Sequence, residues 1–368
     1  PQEVKEISET LSKAGFENFL VGGCVRDLIL EREPKDWDIT TIATPEEIQK
    51  LFPDSFYEND FGTVGVKAEM GIIEVTPYRL ESGYSDARHP DKVEWGKTLA
   101  DDLARRDFTI NALAYNIETE ELVDLYDGQK DLNDKLIRTV GKPEDRFQED
   151  ALRMLRAIRF SSELGFALAH ETQSAIGENA NLLEKISKER VRDEFTKIVM
   201  SDNPAIALDM AARIGLLHFI TPELEKGIGV TQNQAHAYTV WEHLLRSLNH
   251  AAAKKFPLHV RLAALFHDIA KPHTKRMINE QATFYGHEVV GARITKRVLE
   301  DLKFSKEIID KVWKLTRWHM FFSDTEQITK SAVRRIVKNV TPELIWDLMD
   351  KRVADRIGTG RPKETPYR

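Results

Sequence analysis

At 368 residues, 41% hydrophobic and 31% charged, the chain is longer than one core usually organises and globular in composition, so two or three domains are expected. No apolar run approaches the ~18 residues that span a bilayer and no charged-then-apolar leader opens the chain; the lone Cys24 excludes an internal disulfide and is compatible with a reducing cytosol, so a cytoplasmic protein is expected. A net charge of −7 excludes a bulk polyanion-binding surface, so nucleic acid must meet a local basic patch, with metal ions handling the phosphates.

In chain order, "FENFLV" predicts a strand and "CVRDLIL" a helix that starts directly after Gly22 and Gly23. "WDITT" reads as a second strand. In "ATPEEIQKLF", Thr44 is the helix cap, Pro45 takes the first position and Glu47 closes a capping box. "GTVGVKA" and "IIEVTPY" predict a strand pair around a Glu-Met-Gly turn. After Thr139 the strand signals end. "EDALRMLRAIRFSSEL", "KERVRDEFTKIVM" and "PAIALDMAARIGLLHFI" carry apolar residues at helical spacing. From about Val230 the helices become rich in histidine, and "GTGRPKETPYR" closes the chain as a polar, basic tail. The first residue is Pro1 and not methionine, which leaves the natural termini open. The expected fold is α+β: a mixed α/β head over 1–138, an all-helical neck and body over 139–228, a helical domain over 229–358 and a tail over 359–368.

The stretch "FLVGGCVRDLILEREPKDWDITT" carries the first chemistry. A strand, two glycines and a helix start can cradle phosphate, because bare backbone lets amides approach oxygens closely. Arg26 in the first turn adds a charge-assisted donor. Asp36 and Asp38, at i and i+2 on a strand, would point to one face and converge on an Mg²⁺ ion. A Gly-Gly pair alone is most often a turn, and DxD alone is as easily a solvated edge. Joined at this spacing they read as one site.

"LVGGCVRDLIL…KDWDITT", "FGTVGVK", "YSDARHPDKVEW", "DLARRDFTINALAY", "YDGQKDL", "IRTVG" and "RFQEDALRMLRAIRF" follow in that order. The series resembles the class II tRNA nucleotidyltransferases, the CCA-adding enzymes and their bacterial poly(A) polymerase relatives, over about residues 15–200. That resemblance implies that Gly22, Gly23 and Arg26 hold the nucleotide's triphosphate. It makes Asp36 and Asp38 the ligands of catalytic Mg²⁺, with Glu74 either a third carboxylate or a surface residue. "RRDFTINA" supplies Arg105, Arg106, Asp107 and Asn111, which in such enzymes meet the ribose and triphosphate; without the resemblance they also read as a salt-bridged turn.

Asp150, Arg153, Arg156 and Arg159 recur every three residues beside an apolar face, usually the mark of a solvated stripe. Base chemistry offers a sharper use. Cytosine and adenine both present an amine donor next to a ring-nitrogen acceptor, which a carboxylate and a guanidinium match. Uracil and guanine reverse that pattern, and each unpaired buried group costs on the order of 1–3 kcal/mol. Asp150 and Arg153 would thus select C and A without a nucleic-acid template. The resemblance assigns them that role and lays Arg156 and Arg159 along the nucleotide. The implied reaction is attack of a tRNA 3′-hydroxyl on the α-phosphorus of CTP or ATP, with two metals about 3.5–4 Å apart. In the resembling enzymes those adding only CC lack part of the loop that here, as "LESGYSDARHPDKVEW", reads as complete, so terminal A addition is expected; a full CCA enzyme is favoured, with one adding only the terminal A as the alternative.

In the histidine-rich part, His243, the His267–Asp268 doublet and Asp355 resemble, in order, the metal ligands of the HD phosphohydrolases. His287 and His319 match the extra histidines of two-metal versions. Imidazole with carboxylate suits Ni²⁺, Mn²⁺ or Co²⁺ better than Mg²⁺. The resemblance implies hydrolysis of 2′,3′-cyclic or 2′-phosphate ends, or a retired scaffold that grips tRNA; His236, His250 and His273 read as ordinary surface or capping residues. Three functions therefore stand: a CCA-adding nucleotidyltransferase acting on the tRNA 3′ acceptor end with CTP and ATP, an HD phosphohydrolase with a non-catalytic head, and an RNA-binding protein. The intact aspartates favour the first. Oligomeric state is not legible.

Overall fold

The computed structural model describes residues 1–57, 62–82, 92–233, 237–321 and 329–360. Most of the loop bearing on terminal A addition, together with His236 and the tail from 361, lies outside these residues. The chain divides into two compact units, one made of Pro1–Arg153 and Phe166–Leu182 and the other of Met154–Gly165 and Leu183–Arg368.

The first unit is built on a seven-stranded sheet. Its strands are β1 (Asn18–Val21), β2 (Asp38–Thr41), β3 (Ser55–Tyr57), β4 (Val64–Ala68) and β5 (Gly71–Pro77), then, past the separate hairpin β6 (Arg79–Ser82) and β7 (Lys92–Trp95), β8 (Leu113–Tyr115) and β9 (Leu122–Asp124). Their order across the sheet is β3-β4-β5-β2-β1-β8-β9. β1 lies inside the sheet with all four residues buried, paired antiparallel to both β2 and β8. β2 runs parallel to β5, which sets Asp38 opposite Glu74. Around the sheet stand α1 (Gln2–Lys13), α2 (Gly23–Ile29), α3 (Pro45–Leu51), α4 (Leu99–Ala104), α5 (Gly128–Asp134) and α6 (Pro143–Glu149). Thr44 caps α3 with the full capping box: Glu47 N–H reaches its hydroxyl at 3.3 Å and Glu47 Oε2 accepts from its amide at 2.8 Å. Phe19, Val21, Tyr78, Leu103 and Ala114 pack one buried cluster that fixes β1, β8 and α4 together.

Three expectations are corrected here. β2 begins at Asp38, so Asp36 lies in the bend before it and is exposed, not on the same strand face. The helix expected from Glu149 onward starts only at Leu152: Glu149 ends the preceding α6, Asp150 is extended (φ −144°, ψ 103°), and α7 (Leu152–Leu164) follows. Asp150 Oδ1 accepts the Leu152 amide at 3.0 Å, a local bond that competes with continuing the first helix. Strands also persist after Thr139. β10 (Leu136–Ile137) pairs in parallel with β11 (Ala167–Leu168) beside α8 (His170–Asn179).

The second unit carries α9 (Lys188–Met200), α10 (Pro204–Arg213), α11 (Leu217–Ile220), α12 (Pro222–Glu225), α13 (Val240–Ala253), α14 (Leu258–Phe266) and α15 (Lys271–Thr274), then α16 (His287–Asp301), α17 (Lys306–Arg317), α18 (Lys330–Val340) and α19 (Ile345–Gly358). A hairpin interrupts them, β12 (Arg276–Ile278) and β13 (Gln281–Thr283), turning through Asn279 and Glu280, both at positive φ. Buried Arg261 donates to the carbonyls of Val199 and Ser201 at the end of α9 and of Ala252 at the end of α13, satisfying oxygens that a helix leaves unpaired. Among the described residues no helix is long and apolar enough to cross a membrane.

Candidate active site

In the head, the chain leaves β1 at Val21 and turns through Gly22 at φ +80° into α2. Only a residue without a side chain fits there. A Cβ at Gly22 would stand 2.9 Å from Arg106 Nη1 and 3.7 Å from Asp38 Oδ2. The loop, a guanidinium and the first strand carboxylate therefore meet at one point. The Gly22 amide itself donates to Leu113 O at 3.2 Å, so the cradle is formed by the helix start after it and not by both glycines alike.

Arg26 is fixed rather than free to sweep. It donates from Nε to Asp27 at 2.8 Å and from Nη1 to Asn111 Oδ1 at 2.8 Å, and Asn111 in turn donates to Asp107 Oδ1 at 3.0 Å. Asp107 also accepts the Phe108 amide at 2.8 Å. Motif residues far apart in the chain thus form one hydrogen-bonded row beside the loop. Arg106 pairs through Nη2 with Asp102 at 2.9 Å, and Arg105 pairs with the same carboxylate. Burial alone would raise the Asp102 pKa, but Arg105 and Arg106 outweigh it and hold it at about 2. Asp38 is half-buried, Asp36 and Glu74 are exposed, and the β2–β5 register sets Asp38 beside Glu74.

Arg153, buried, is held by Glu149 Oε2 at 2.5 Å and by the carbonyl of Arg105 at 2.9 Å. Arg146 binds the other oxygen of Glu149. The bonds described therefore tie the Arg153 guanidinium to Glu149, while Asp150 sits in the break between α6 and α7. Arg156 and Arg159 belong to the other unit: both lie against Phe160, and Arg159 donates to Glu194 at 2.8 Å. Sequence reasoning missed Asp102 and Glu149. Asp102 stands three and four residues before the two arginines, which is the helical pairing distance.

The second unit gathers its expected ligands. His243 Nε2 lies 2.9 Å from His267 Nε2, 3.2 Å from Asp268 Oδ2 and 3.3 Å from Asp355 Oδ1. His267 Nε2 is 3.2 and 3.4 Å from the same two oxygens. Ligands about 2.1 Å from a common ion stand about 3.0 Å apart in octahedral and 3.4 Å in tetrahedral arrangement. Asp268 presents its other oxygen, Oδ1, to His287 Nε2 at 3.3 Å and His319 Nε2 at 3.7 Å. Two ligand groups thus share Asp268.

Local sequence aims the rings. His267, His287 and His319 each turn Nδ1 to the carbonyl three residues back, Ala264 at 2.9 Å, Phe284 at 2.7 Å and Thr316 at 2.7 Å. Nδ1 then carries the hydrogen and Nε2 faces inward as a lone pair. His267 and Asp268 were expected on a helix, yet α14 stops at Phe266 and the doublet occupies the turn after it. α19 brings Asp355 close to α13 because Gly358, one turn on, has no side chain: a Cβ there would lie 2.9 Å from the His243 carbonyl and would run into Ser247 Oγ.

Two lysines that sequence reasoning passed over are buried in this cluster. Lys271 Nζ is 2.6 Å from Asp268 Oδ2, and Lys351 Nζ is 3.0 Å from Asp355 Oδ2. Burial works against both carboxylates, yet His267 with Lys271 and Lys351 with His267 hold them well below the usual range. Burial drives Lys351 itself down to about 8. Of the histidines set aside, His273 pairs with Glu223 at 3.0 Å, and burial lowers His250.

The family described as the poly A polymerase head domain matches residues 18–138, the probable RNA and SrmB-binding site of polymerase A matches 165–228, and the HD domain matches 234–357. A head, an RNA-binding segment and an HD domain in that order define a polymerase-A-type nucleotidyltransferase architecture. The CCA-adding enzyme of Lactobacillus delbrueckii subsp. bulgaricus is 52% identical over 195 residues, covering 53% of this chain and 49% of that protein. That of Leuconostoc citreum is 42% identical over 260 residues, 68% of this chain and 64% of its own. The crystal structure of the Bacillus stearothermophilus CCA-adding enzyme in complex with CTP superposes with a TM-score of 0.75 at 31% identity, covering 98% of this chain and 78% of that one. The chain belongs to the family of the CCA-adding enzymes. It spans about half the length of the first of these curated relatives. Divalent-metal dependence goes with this nucleotidyltransferase family.

Proposed function

We propose that the protein transfers nucleotides from CTP and ATP to the 3′ acceptor end of tRNA without a nucleic-acid template, building CCA, and that it does so in the cytoplasm. The observation that carries this reading is the meeting of the Gly22 turn, the Asp38 carboxylate and the Arg106 guanidinium within one small gap. The head over 1–138 would bind the nucleotide, the neck and body over 139–228 would select it and hold tRNA, and the HD-type domain over 229–358 would bind metal.

In this reaction the triphosphate lies against the start of α2, with Gly23 and Arg26 as donors and Arg106 closing over it. Asn111 and Asp107 orient Arg26 and face the ribose. Asp36 and Asp38 would hold Mg²⁺, which when bound supplies the charge that favours attack by the 3′-hydroxyl and departure of pyrophosphate. Arg153, steadied by Glu149, and Asp150 would read the base edge. Little covalent chemistry is asked of the side chains; position and charge carry the rate. Asp36→Ala should abolish incorporation of labelled CTP and ATP into tRNA ending at its discriminator base while tRNA binding persists. Unchanged incorporation removes the mechanism, and incorporation of ATP alone by the wild type selects the enzyme that adds only A.

The clustered donors of the second unit favour a second activity. His243, His267, Asp268 and Asp355 would hold one transition metal such as Ni²⁺, Mn²⁺ or Co²⁺, and Asp268, His287 and His319 a second. Such an ion, when bound, makes water acidic enough to attack a phosphoester near neutral pH. Lys271, buried 2.6 Å from Asp268, would steady the charge of an arriving phosphate. His267→Ala with Asp268→Ala should eliminate metal-stimulated hydrolysis of 2′,3′-cyclic AMP and leave CTP and ATP incorporation intact. A wild type without that hydrolysis in any of the three metals sinks the second activity.

A further inference from the structure

Arg106 reaches the glycine turn, and a residue outside the reacting groups aims it. Asp102 lies on α4 with its side chain fully enclosed, at 0% exposure. Its two oxygens are divided between two arginines. Oδ1 accepts from Arg105 Nε at 3.0 Å and from Arg105 Nη2; Oδ2 accepts from Arg106 Nη2 at 2.9 Å. Arg106 is left with Nη1 directed at Gly22, and with an Nε that is buried without a hydrogen-bond partner among the described residues. The Arg106 guanidinium is part-buried, at 17% exposure, and the Nη1 it turns toward Gly22 is the donor that a triphosphate in the turn would meet. Arg105, for its part, gives its main-chain carbonyl to Arg153 Nη2 at 2.9 Å. One enclosed carboxylate therefore stands behind both the cation at the phosphate turn and the main chain that supports the base-reading arginine.

We infer that Asp102 is a positioning residue for nucleotide binding: it touches no reacting atom but preorganises Arg106 for the triphosphate and, through Arg105, Arg153 for the base. The inference rests on the nucleotidyl-transfer reading above. An asparagine at this position keeps the volume and loses the charge that fixes two guanidinium groups at once. Arg106 and Arg105 then swing among rotamers, so ground-state binding of the nucleotide suffers more than the chemical step.

The experiment uses the full chain with Asp102→Asn, Arg106→Ala, the double variant and the wild type. CTP and ATP dissociation constants come from equilibrium dialysis, and KM and kcat from incorporation into tRNA lacking CCA. For Asp102→Asn the dissociation constants and KM should rise about tenfold or more while kcat stays within about threefold, the size expected for losing a charge-assisted hydrogen bond that acts on binding. Misincorporation of UTP should rise with them, and the double variant should lose less affinity than the two single losses combined. Unchanged nucleotide affinity in Asp102→Asn overturns the inference. So does full additivity in the double variant, or a fall in kcat with KM unmoved. If Asp102→Asn loses its cooperative thermal transition, Arg106→Gln carries the test, since Asp102 then stays in place: its dissociation constants must rise about tenfold, and unchanged values overturn the inference. An inactive wild type would overturn the nucleotidyl-transfer reading and this inference with it. An active wild type beside an unaffected Asn variant overturns the role of Asp102 alone.

Discussion

The Nε2 atoms of His287 and His319 lie 3.2 Å apart, and each ring already turns Nδ1 to a main-chain carbonyl. Two neutral rings in that pose would set lone pair against lone pair. A cation has to share the gap, either a proton or a metal ion. Burial and Lys351 hold His319 well below the ordinary imidazole pKa, so it is not the ring that supplies the proton. Burial disfavours charge on His287 too, yet Asp268 raises it.

The first expectation concerns metal count. After dialysis against Mn²⁺ or Ni²⁺, elemental analysis should find two ions per wild-type chain in this centre and one in His319→Ala, with Asp268→Ala near zero because it serves both groups. A single ion in the wild type would leave the His287–His319 contact to a proton alone.

A second expectation follows from Glu149, which holds Arg153 at 2.5 Å and Arg146 on its other oxygen. Glu149→Gln weakens one charge-assisted bond and frees the guanidinium to tilt. Discrimination against UTP should fall about tenfold, read as the ratio of kcat/KM for CTP to that for UTP, with thermal stability lowered by about 1 kcal/mol. Retained discrimination would show that Arg153 is oriented by the Arg105 carbonyl alone.

The third is a pH dependence. Asp102 is depressed in the folded chain to about 2 from an ordinary 3.8. A carboxyl with a lowered folded pKa stabilises fully above its unfolded value and loses that contribution as pH falls toward the folded value. The amount is on the order of 2 kcal/mol at neutral pH, absent below about pH 2. The gap in urea stability between wild type and Asp102→Asn should therefore be constant above about pH 5 and narrow as pH drops toward 3. A gap that stays constant into acid would mean that the carboxylate contributes through shape and not charge.

The sequence made legible what local chemistry decides. Thr44, Pro45 and Glu47 announce a helix start that the fold builds with both capping-box bonds. Gly22 announces a turn, and the spaced histidines and aspartates were legible as a cluster through their resemblance to the HD metal ligands. Features decided by distant neighbours were hidden. The break at Asp150 was hidden for another reason: the apolar spacing runs straight through it, although Asp150 bonds locally to the Leu152 amide and α7 begins there anew. Lys351 sits four residues before Asp355, like any surface helix pair, and only packing discloses that it is wholly enclosed. Asp36 and Asp38 read as one strand because alternation ignores where hydrogen bonding starts, which is at Asp38.

Gly358 offers no donor atom, yet it governs how near two walls of the histidine cluster can come. One extra methyl would wedge α19 away from α13, and Asp355 would retreat from His243 with every ligand still present. The spacing of the proposed ligands therefore rests partly on a hydrogen atom, at a position that coordinates nothing.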